Sequence, residues 1–387
     1  GCRGPSCGGP GPGPGPRTTG HDTLRARTLS QQLGGLPLAL HLAGSYLGSD
    51  LAALDLAGYL REAQRSIHLL DLAAVGGHRA DDPRSRVTTT WELSLNKLAE
   101  QGVPSARPLL RLLSYYAPTQ PFPVHVLDPE LLAAHGLLDG DDPMAAQFAG
   151  LSGLARFGLI SSAPAQRPGE PSVLVHPLVA EASRVRRGEA DRPEAVQAAA
   201  AELLSAATDR LDLHRTADWP RWRTLTPHAH ALMDRLTTGD AGVVAHACHA
   251  LNRAVEALIE ARSDEENEVL IRHALAHADA LSADHDEVVT ARKNLAMVLW
   301  QRGKHAEAEK LTRAVLAVEE RLRGPEHPDT LVTRANVSWS LYEQGSYEEA
   351  ERTIRELLAT ETRVLGADHH ETLVARHNLA LVLWRRG

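Results

Sequence analysis

The chain has 387 residues, with 41 Lys and Arg against 49 Asp and Glu, a formal net charge of −8, and 3 Cys. Its length predicts two to four domains, because a domain typically has about 100 to 200 residues. The acidic balance provides no global basic field for nucleic acid or an anionic membrane, and three cysteines cannot form a disulfide framework. No apolar stretch approaches the roughly 18 residues that span a bilayer, and the first residues lack a secretory signal, so we expect a cytoplasmic protein.

Both ends of the chain differ from the rest. Seven glycines and five prolines lie between Gly1 and Pro16, so we expect residues 1–22 to be disordered. The remainder is rich in Ala, Leu, Arg and Glu, which predicts a mainly α fold. Because the chain starts at Gly1 rather than Met and stops inside a repeat at Gly387, we expect a fragment cut at both ends.

A helix is interrupted and restarted near residue 37. Gly34 and Gly35 allow a sharp entry, and Pro37 suits the first turn of a helix. The run Gly34-Gly-Leu-Pro-Leu-Ala-Leu40 resembles the GLPLA motif of the NB-ARC module, found in signalling NTPases of the STAND class, including bacterial ones. The resemblance implies a helical subdomain over 23–85, with Leu36 and Pro37 at a bound nucleotide.

Residues 86–190 resemble the winged-helix subdomain of the same modules. Helical runs are followed by a strand at Ser172–Val179, and a Pro-Gly loop over 161–171 makes a plausible wing. Val175-His176-Pro177 matches the Met-His-Asp motif of the family at His176 alone. By resemblance, His176 contacts the β-phosphate of ADP; the alternative is a buried histidine at the strand end, bonded to backbone.

The chemistry of nucleotide hydrolysis is missing from the chain. No Gly-x-x-x-x-Gly-Lys-Ser/Thr string occurs, and the Gly303-Lys304 pair lies in a repeat turn. We therefore expect no catalytic residue and no ATP hydrolysis by this chain alone. A parent protein with an upstream P-loop domain would bind ADP or ATP with Mg²⁺; without that domain we expect no cofactor.

Histidines offer the strongest candidates for a metal site. The run His246-Ala-Cys248-His249 and the i,i+4 pair His273 and His277 could each present two ligands on one helix face. Neither belongs to a His-Glu-x-x-His string, so we expect no metal site. Cys248 is interpreted as a small core residue.

The C-terminal end repeats with a period of 42 residues, which indicates stacked supersecondary units. The repeated positions are Arg292, Arg334 and Arg376; Asn294, Asn336 and Asn378; Gly303, Gly345 and Gly387; and Glu307-Ala308 with Glu349-Ala350. Within one unit we predict a helix over Asn336–Glu343, a stop at Gly345 and a second helix over Tyr347–Leu365. Thr330 or Asp329 is expected to cap the first helix after the Gly-Pro loop.

Leu341, Gly345, Tyr347 and Ala350 give the unit a pattern that resembles the tetratricopeptide repeat. The Gly-x-x-His-Pro loop and the Asn-Leu-Ala run resemble the repeats of kinesin light chain. By that resemblance the first helices line a groove in which the asparagines bond the backbone of an extended peptide. The residues concerned are Asn294, Asn336 and Asn378, with Arg292, Arg334 and Arg376; the alternative is that the asparagines cap or link neighbouring helices.

Residues 191–285 show helical periodicity and are interpreted as a helical linker or degenerate repeats leading into the repeats of 286–387. The last unit consists of its first helix alone, so Leu379, Val382 and Leu383 are expected to lack a partner. The chain as a whole is predicted to be the regulatory and protein-interaction part of a bacterial STAND-type NTPase. A peptide or protein is expected in the groove, with self-association open, no membrane, and nucleic acid disfavoured. The alternatives are a non-enzymatic repeat adaptor or a winged-helix transcription regulator.

Overall fold

The computed structural model describes residues 26–30, 37–48, 55–61, 83–163, 170–185, 192–260 and 264–387, and helices dominate them. The expected mainly α fold is confirmed. The helices are α1 (Pro37–Leu47), α2 (Pro83–Glu100), α3 (Ala106–Ser114), α4 (Pro129–Ala134), α5 (Pro143–Arg156), α6 (Pro177–Val185), α7 (Pro193–Asp209), α8 (Trp219–Arg235), α9 (Ala241–Glu260), α10 (Asp264–Ala276), α11 (Asp286–Gln301), α12 (His305–Leu322), α13 (Pro328–Glu343), α14 (Tyr347–Val364) and α15 (His370–Arg386). The tract 1–22 and Leu36 lie outside the described residues.

The chain forms two compact units, one within Gly1–Arg107 and Phe148–Ser161, the other within Pro108–Gln147 and Ser162–Gly387. Aromatic rings meet in the core of the first unit. The ring of Tyr46 lies 5.1 Å from that of Tyr59 and 5.6 Å from that of Phe157, and Trp91 on α2 is also buried. The division of the chain into five regions made from the sequence stays a prediction.

Three short strands, β1 (Phe122–Pro123), β2 (Ile160–Ala163) and β3 (Ser172–Val175), form a sheet in the order β1-β3-β2. β1 is antiparallel to β3, with Phe122 opposite Val173. Strands β2 and β3 flank the predicted wing loop, but β3 ends four residues before Val179. The reason is Pro177, which begins α6: its fixed φ suits a first helical turn and removes an N–H from the ladder. The winged-helix assignment stays a prediction.

A buried histidine fixes α8 against β1 in the second unit. His228 Nδ1 accepts from the Ala117 N–H at 3.2 Å, which places the ring proton on Nε2, 3.2 Å from the Pro121 carbonyl oxygen. The ring also meets Phe122 edge-on at 5.1 Å. Burial lowers the pKa of His228 to about 4, so the side chain serves as a neutral link between helix and strand.

Helices α11 to α15 form the repeats. The predicted end at Glu343 and the predicted start at Tyr347 are confirmed, but the first helix of the unit begins at Pro328, eight residues before Asn336, and the second ends at Val364 rather than Leu365.

Ala308 and Ala350, which recur at the 42-residue period, are almost fully buried, because a methyl side chain permits neighbouring helices to approach closely. Val337, Leu341 and Ile354 fill the second repeat beside Ala350. Apolar burial therefore holds each hairpin together, as the period predicts.

Glycines end the first helix of each repeat for a conformational reason. Gly303 and Gly345 have φ of 75° and 78°. A Cβ atom at either position would meet nothing within 4 Å, so space does not require glycine there. The left-handed backbone conformation requires glycine, because it is strained for a residue with a Cβ atom. This conformation also allows backbone N–H groups after the helix to bond its last carbonyl oxygens.

The cap of α13 differs from the prediction. His327, rather than Thr330 or Asp329, is the N-cap, and its Nδ1 accepts from the Asp329 N–H at 3.2 Å. Pro328 occupies the first helical position and keeps His327 in the extended backbone that a cap requires. The equivalent residues of α11 and α15, His285 and His369, cap their helices in the same way.

The expectation that α15 lacks a partner was wrong for two of its three apolar residues. Val382 is 0% exposed and packs with Leu379 against Val337 and Leu341 of the preceding repeat. Leu383 is exposed, and so is Trp384. The inward side of α15 is therefore covered by its neighbour, as in the inner repeats of a solenoid. Within the described residues, no helix combines the length and apolar character needed to cross a bilayer.

Candidate functional site

A cavity of about 180 Å³ lies along the first helices of the two complete repeats, α11 and α13. Its walls combine apolar surface with a few polar groups. They are formed by Lys293, Ala296, Met297, Trp300, Thr312, Thr333, Asn336, Trp339 and Ser340. Stacked helical hairpins are expected to form one shared surface from their first helices.

The cavity exists because the two repeats diverge at equivalent positions. Thr312 of α12 lies on its wall, whereas the residue 42 positions later, Ile354 of α14, is 1% exposed and fills the core. Thr312 directs its hydroxyl back to the Ala308 carbonyl oxygen at 2.7 Å. The first repeat thus has a shorter, self-satisfied side chain where the second has a core isoleucine, and that leaves room for a ligand group.

Of the three repeat asparagines, one lines the cavity. Asn336 is exposed at its wall. Asn294 and Asn378 are half-buried and lie outside it, and the Asn294 Nδ2 atom has no hydrogen-bond partner within the described part of the chain. An exposed amide on a groove wall can donate and accept one hydrogen bond each with an extended backbone.

Two of the three repeat arginines bond to carbonyl oxygens just before the starts of their helices. Arg292 donates to the Ala283 carbonyl oxygen at 2.9 Å, and Arg376 donates to that of Ala367 at 3.4 Å. Arg334 instead forms an ion pair with Glu320 at 2.6 Å. These guanidinium groups stabilise the junctions between repeats, and none of them lines the cavity.

Aromatic residues of the groove were missed by the sequence analysis. Trp300, Tyr342 and Trp384 recur at the 42-residue period near the ends of the first helices, a signal that could have identified them. Trp339 lines the cavity and stacks on Tyr342 with ring centroids 4.9 Å apart. Trp300 lines the same cavity from α11. Flat aromatic walls of this kind provide large contact area at low entropic cost.

The electrostatics of the two repeats differ at one buried carboxyl. In the first repeat Lys293, on the cavity wall, pairs with the buried Glu319 at 3.2 Å. The equivalent residues of the second repeat are Ala335 and Glu361, so the cation is absent there. Burial, and secondarily the charge of Glu371, raises the pKa of Glu361 to about 7.

The residues assigned to nucleotide by resemblance belong to different parts of the chain: Pro37 lies in the first compact unit and His176 in the second. Leu36 lies outside the described residues, and Pro37 begins α1 with its side chain also outside them. His176 is exposed rather than buried, and its Nδ1 accepts from the Leu178 N–H at 3.2 Å ahead of α6. Partial desolvation lowers its pKa. His176 therefore caps the start of α6 in the way that His327 caps the start of α13.

A second cavity, of about 120 Å³, lies between β1, β3 and helices α7 and α8. It contains two arginines that could attract an anion. Arg221 is paired with Glu170 and, at 3.7 Å, with Asp218, and Arg210 is paired with Asp128 at 3.2 Å. Their charges are therefore balanced by the protein itself, which makes the repeat groove the stronger candidate.

A family model matches the repeats. Residues 287–360 and 340–387 match the family model described as tetratricopeptide repeat, as the sequence pattern predicted. Two solved structures of tetratricopeptide-like repeats assigned to a kinesin light chain of Podosopora anserina, one a substituted variant, are similar to this chain. Each is 20% identical to this chain, and each match covers 48% of it. The matches cover 84% and 85% of the two solved chains, with TM-scores of 0.38 and 0.37. No curated protein matches the sequence.

Proposed function

We propose that the repeats bind an extended segment of a protein partner, with a large apolar side chain of that segment in the cavity between α11 and α13. The observation that carries the proposal is a groove in which an exposed amide, Asn336, lies among apolar walls. Such a combination lets an amide bond the backbone of a peptide while the walls select a side chain.

The walls define the chemistry of the ligand. Met297, which is 38% exposed, and the two tryptophans Trp300 and Trp339 offer a polarisable and aromatic surface. Lys293 is the charged group of the wall, and its ammonium is already paired with Glu319. The groove therefore favours an aromatic or long aliphatic side chain over an acidic one.

An array of unstructured peptides that vary in apolar content, probed with the full chain, tests the proposal. The strongest binder is then measured by fluorescence anisotropy against Asn336→Leu and Met297→Glu. Asn336→Leu removes the amide, and Met297→Glu places a charge on the apolar wall at a partly exposed position where folding should tolerate it. Each should weaken binding about tenfold or more, which corresponds to about 1.4 kcal/mol.

The matched control is Arg352→Ala, an exposed position on α14, which should leave the affinity unchanged while circular dichroism shows all variants folded. Equal affinity of the wild type and both groove variants, or no apolar-selective binding on the array, would overturn the proposal.

We also propose, on the resemblance to NB-ARC modules, that the chain is the regulatory part of a STAND-type switch in which partner binding is coupled to ADP or ATP sensing. What supports this is the motif run around Pro37 and His176. His176→Ala in a longer parent chain should speed ADP release, measured by the off-rate of a fluorescent ADP analogue. An unchanged off-rate would leave His176 as a helix cap and favour the non-enzymatic adaptor.

A further inference from the structure

Four titratable side chains meet between α8 and α10, away from the groove. His273 Nε2 lies 2.6 Å from Asp234 Oδ1, and His230 Nδ1 lies 3.9 Å from Asp234 Oδ2. Candidate ligand atoms of His230, Asp234 and His273 all lie within 4.8 Å of one another. The ring of His273 is 4.4 Å from that of His230 and 4.2 Å from that of His277.

We propose that His230, Asp234 and His273 bind a divalent transition-metal ion of the zinc class. Two imidazoles and one carboxylate suit zinc, which takes N and O ligands at about 2.0 to 2.2 Å and in sites with three protein ligands keeps one position open. Tetrahedral bonds of that length place ligand atoms roughly 3.3 Å apart. The observed separations therefore need side-chain shifts of about 1 Å and no movement of either helix.

The protons of the cluster leave ligand positions available. His277 Nδ1 lies 2.9 Å from the His273 carbonyl oxygen, so it donates there and its Nε2 carries the lone pair. The Nδ1 atom of His273 is buried and has no partner among the residues that the structure describes. In the metal-free chain His273 Nε2 carries the ring proton and donates it to Asp234 Oδ1 at 2.6 Å, and a metal ion bound by these two residues would displace that proton and take its place.

The surrounding charges permit a bound cation. Burial, followed by the charge of His273, lowers the pKa of His230. Arg235 is the nearby cation, and its guanidinium group donates to the carbonyl oxygens of Tyr115 and Tyr116. Asp234 contributes a carboxylate to the cluster, and a carboxylate beside two imidazoles is a suitable ligand set for a divalent transition-metal ion.

A second histidine with carboxylate neighbours shows what an already satisfied site looks like. His249 Nδ1 lies 2.9 Å from Glu287 and its Nε2 lies 2.7 Å from Asp209. These bonds raise the pKa of His249 to about 9, so its imidazolium is itself the cation between the two acids. The neighbouring Cys248 is buried, which raises its pKa to about 12 and keeps it a thiol. The run from His246 to His249 therefore offers no free ligand set, in contrast to the cluster.

A metal ion in the cluster would join α8 to α10, two helices that flank α9 in sequence. Binding to the folded chain alone would stabilise it by linkage, more strongly as the metal concentration rises. The expected role is a staple between helices rather than catalysis.

The test uses the untagged full chain, stripped of metal with a chelator and dialysed. Titration with Co²⁺, followed by its visible d–d absorption and displaced by Zn²⁺, should show one equivalent bound. Excess Zn²⁺ should raise the melting temperature, and binding should weaken below about pH 6.5, where protons compete for the imidazoles.

His230→Ala and Asp234→Asn should each weaken Co²⁺ binding tenfold or more, and Asp234→Asn keeps the shape of the side chain if the alanine variant unfolds. The control is His246→Ala, an exposed imidazole on α9, which should leave affinity and stoichiometry unchanged. The absence of a one-equivalent site, equal affinity of Asp234→Asn, or loss of binding in the control would overturn the proposal.

Discussion

The two complete repeats, α11–α12 and α13–α14, share their turn glycines, their buried alanines and their capping histidines. They differ in the other side chains that pack between their helices. The first has Thr312 and the Lys293–Glu319 pair, and the second has Ile354 and an uncompensated Glu361. One hairpin geometry therefore supports a repeat with a paired buried carboxyl and a repeat whose buried carboxyl has its pKa raised, while the first helices of both repeats line the groove.

The largest expected difference between the repeats concerns the core position. Ile354→Ala should lower the free energy of unfolding by about 2 to 4 kcal/mol, because it empties a fully packed site. Thr312→Ala should cost about 1 kcal/mol, since it removes one hydrogen bond beside an existing cavity. Urea denaturation followed by circular dichroism measures both, and equal losses would contradict the proposed origin of the groove.

Moving the lysine from the first repeat to the second should exchange the pH dependence of stability that the two buried carboxyls produce. Because the pKa of Glu361 is raised from 4.5 to about 7, the folded chain holds a proton that the unfolded chain has lost between those values. Stability should therefore fall as the pH rises from about 4.5 to 7. Ala335→Lys should recover about 1 to 2 kcal/mol at pH 8 and nothing at pH 5.

Lys293→Ala should give Glu319 the same pH dependence that Glu361 has in the wild type. Glu361→Gln provides the control, because it removes the titrating group and should flatten the slope. Thermal melting between pH 5 and pH 8 reports all three variants, and an unaltered slope in Ala335→Lys would show that the missing cation is not the cause.

The smallest effect is expected where the repeats are alike. Gly303→Ala and Gly345→Ala should each cost about 1 kcal/mol, because both glycines have positive φ. Gly44, inside α1 with open space around it, is the matched control, and Gly44→Ala should stabilise by about 0.5 to 1 kcal/mol. Melting temperatures that shift in the same direction for Gly44 and Gly345 would mean that the backbone conformation is not what selects glycine.

The sequence predicted the features that recur at the 42-residue period and did not predict the features in which the two repeats differ. The 42-residue period located the helices and turns, since Gly345 and Ala350 act through local backbone and close packing. It could not locate the cavity, because Met297 and Trp339 occupy equivalent positions with different side chains. The exception is the periodic aromatic set that includes Trp300, which the period itself could have revealed.

Contacts between separate helices were also out of reach. Asp234 and His273 lie 39 residues apart, and only the packing of α8 with α10 brings their atoms within 2.6 Å. The cap at His327 was missed for a local reason: histidine is not among the common capping residues, although His327 and its equivalents His285 and His369 all cap their helices.

The turn glycines also determine where a repeat can be gained or lost. Gly303 and Gly345 end equivalent helices with nearly the same backbone angle, so a segment cut at one can be joined at the other without bending the chain differently. Copying the stretch Lys304–Gly345 would therefore insert one full period of two helices in register, and losing it would join Gly303 to Ser346. A gene that gains or loses this stretch changes the length of the groove in single steps, while each new copy can acquire its own side chains.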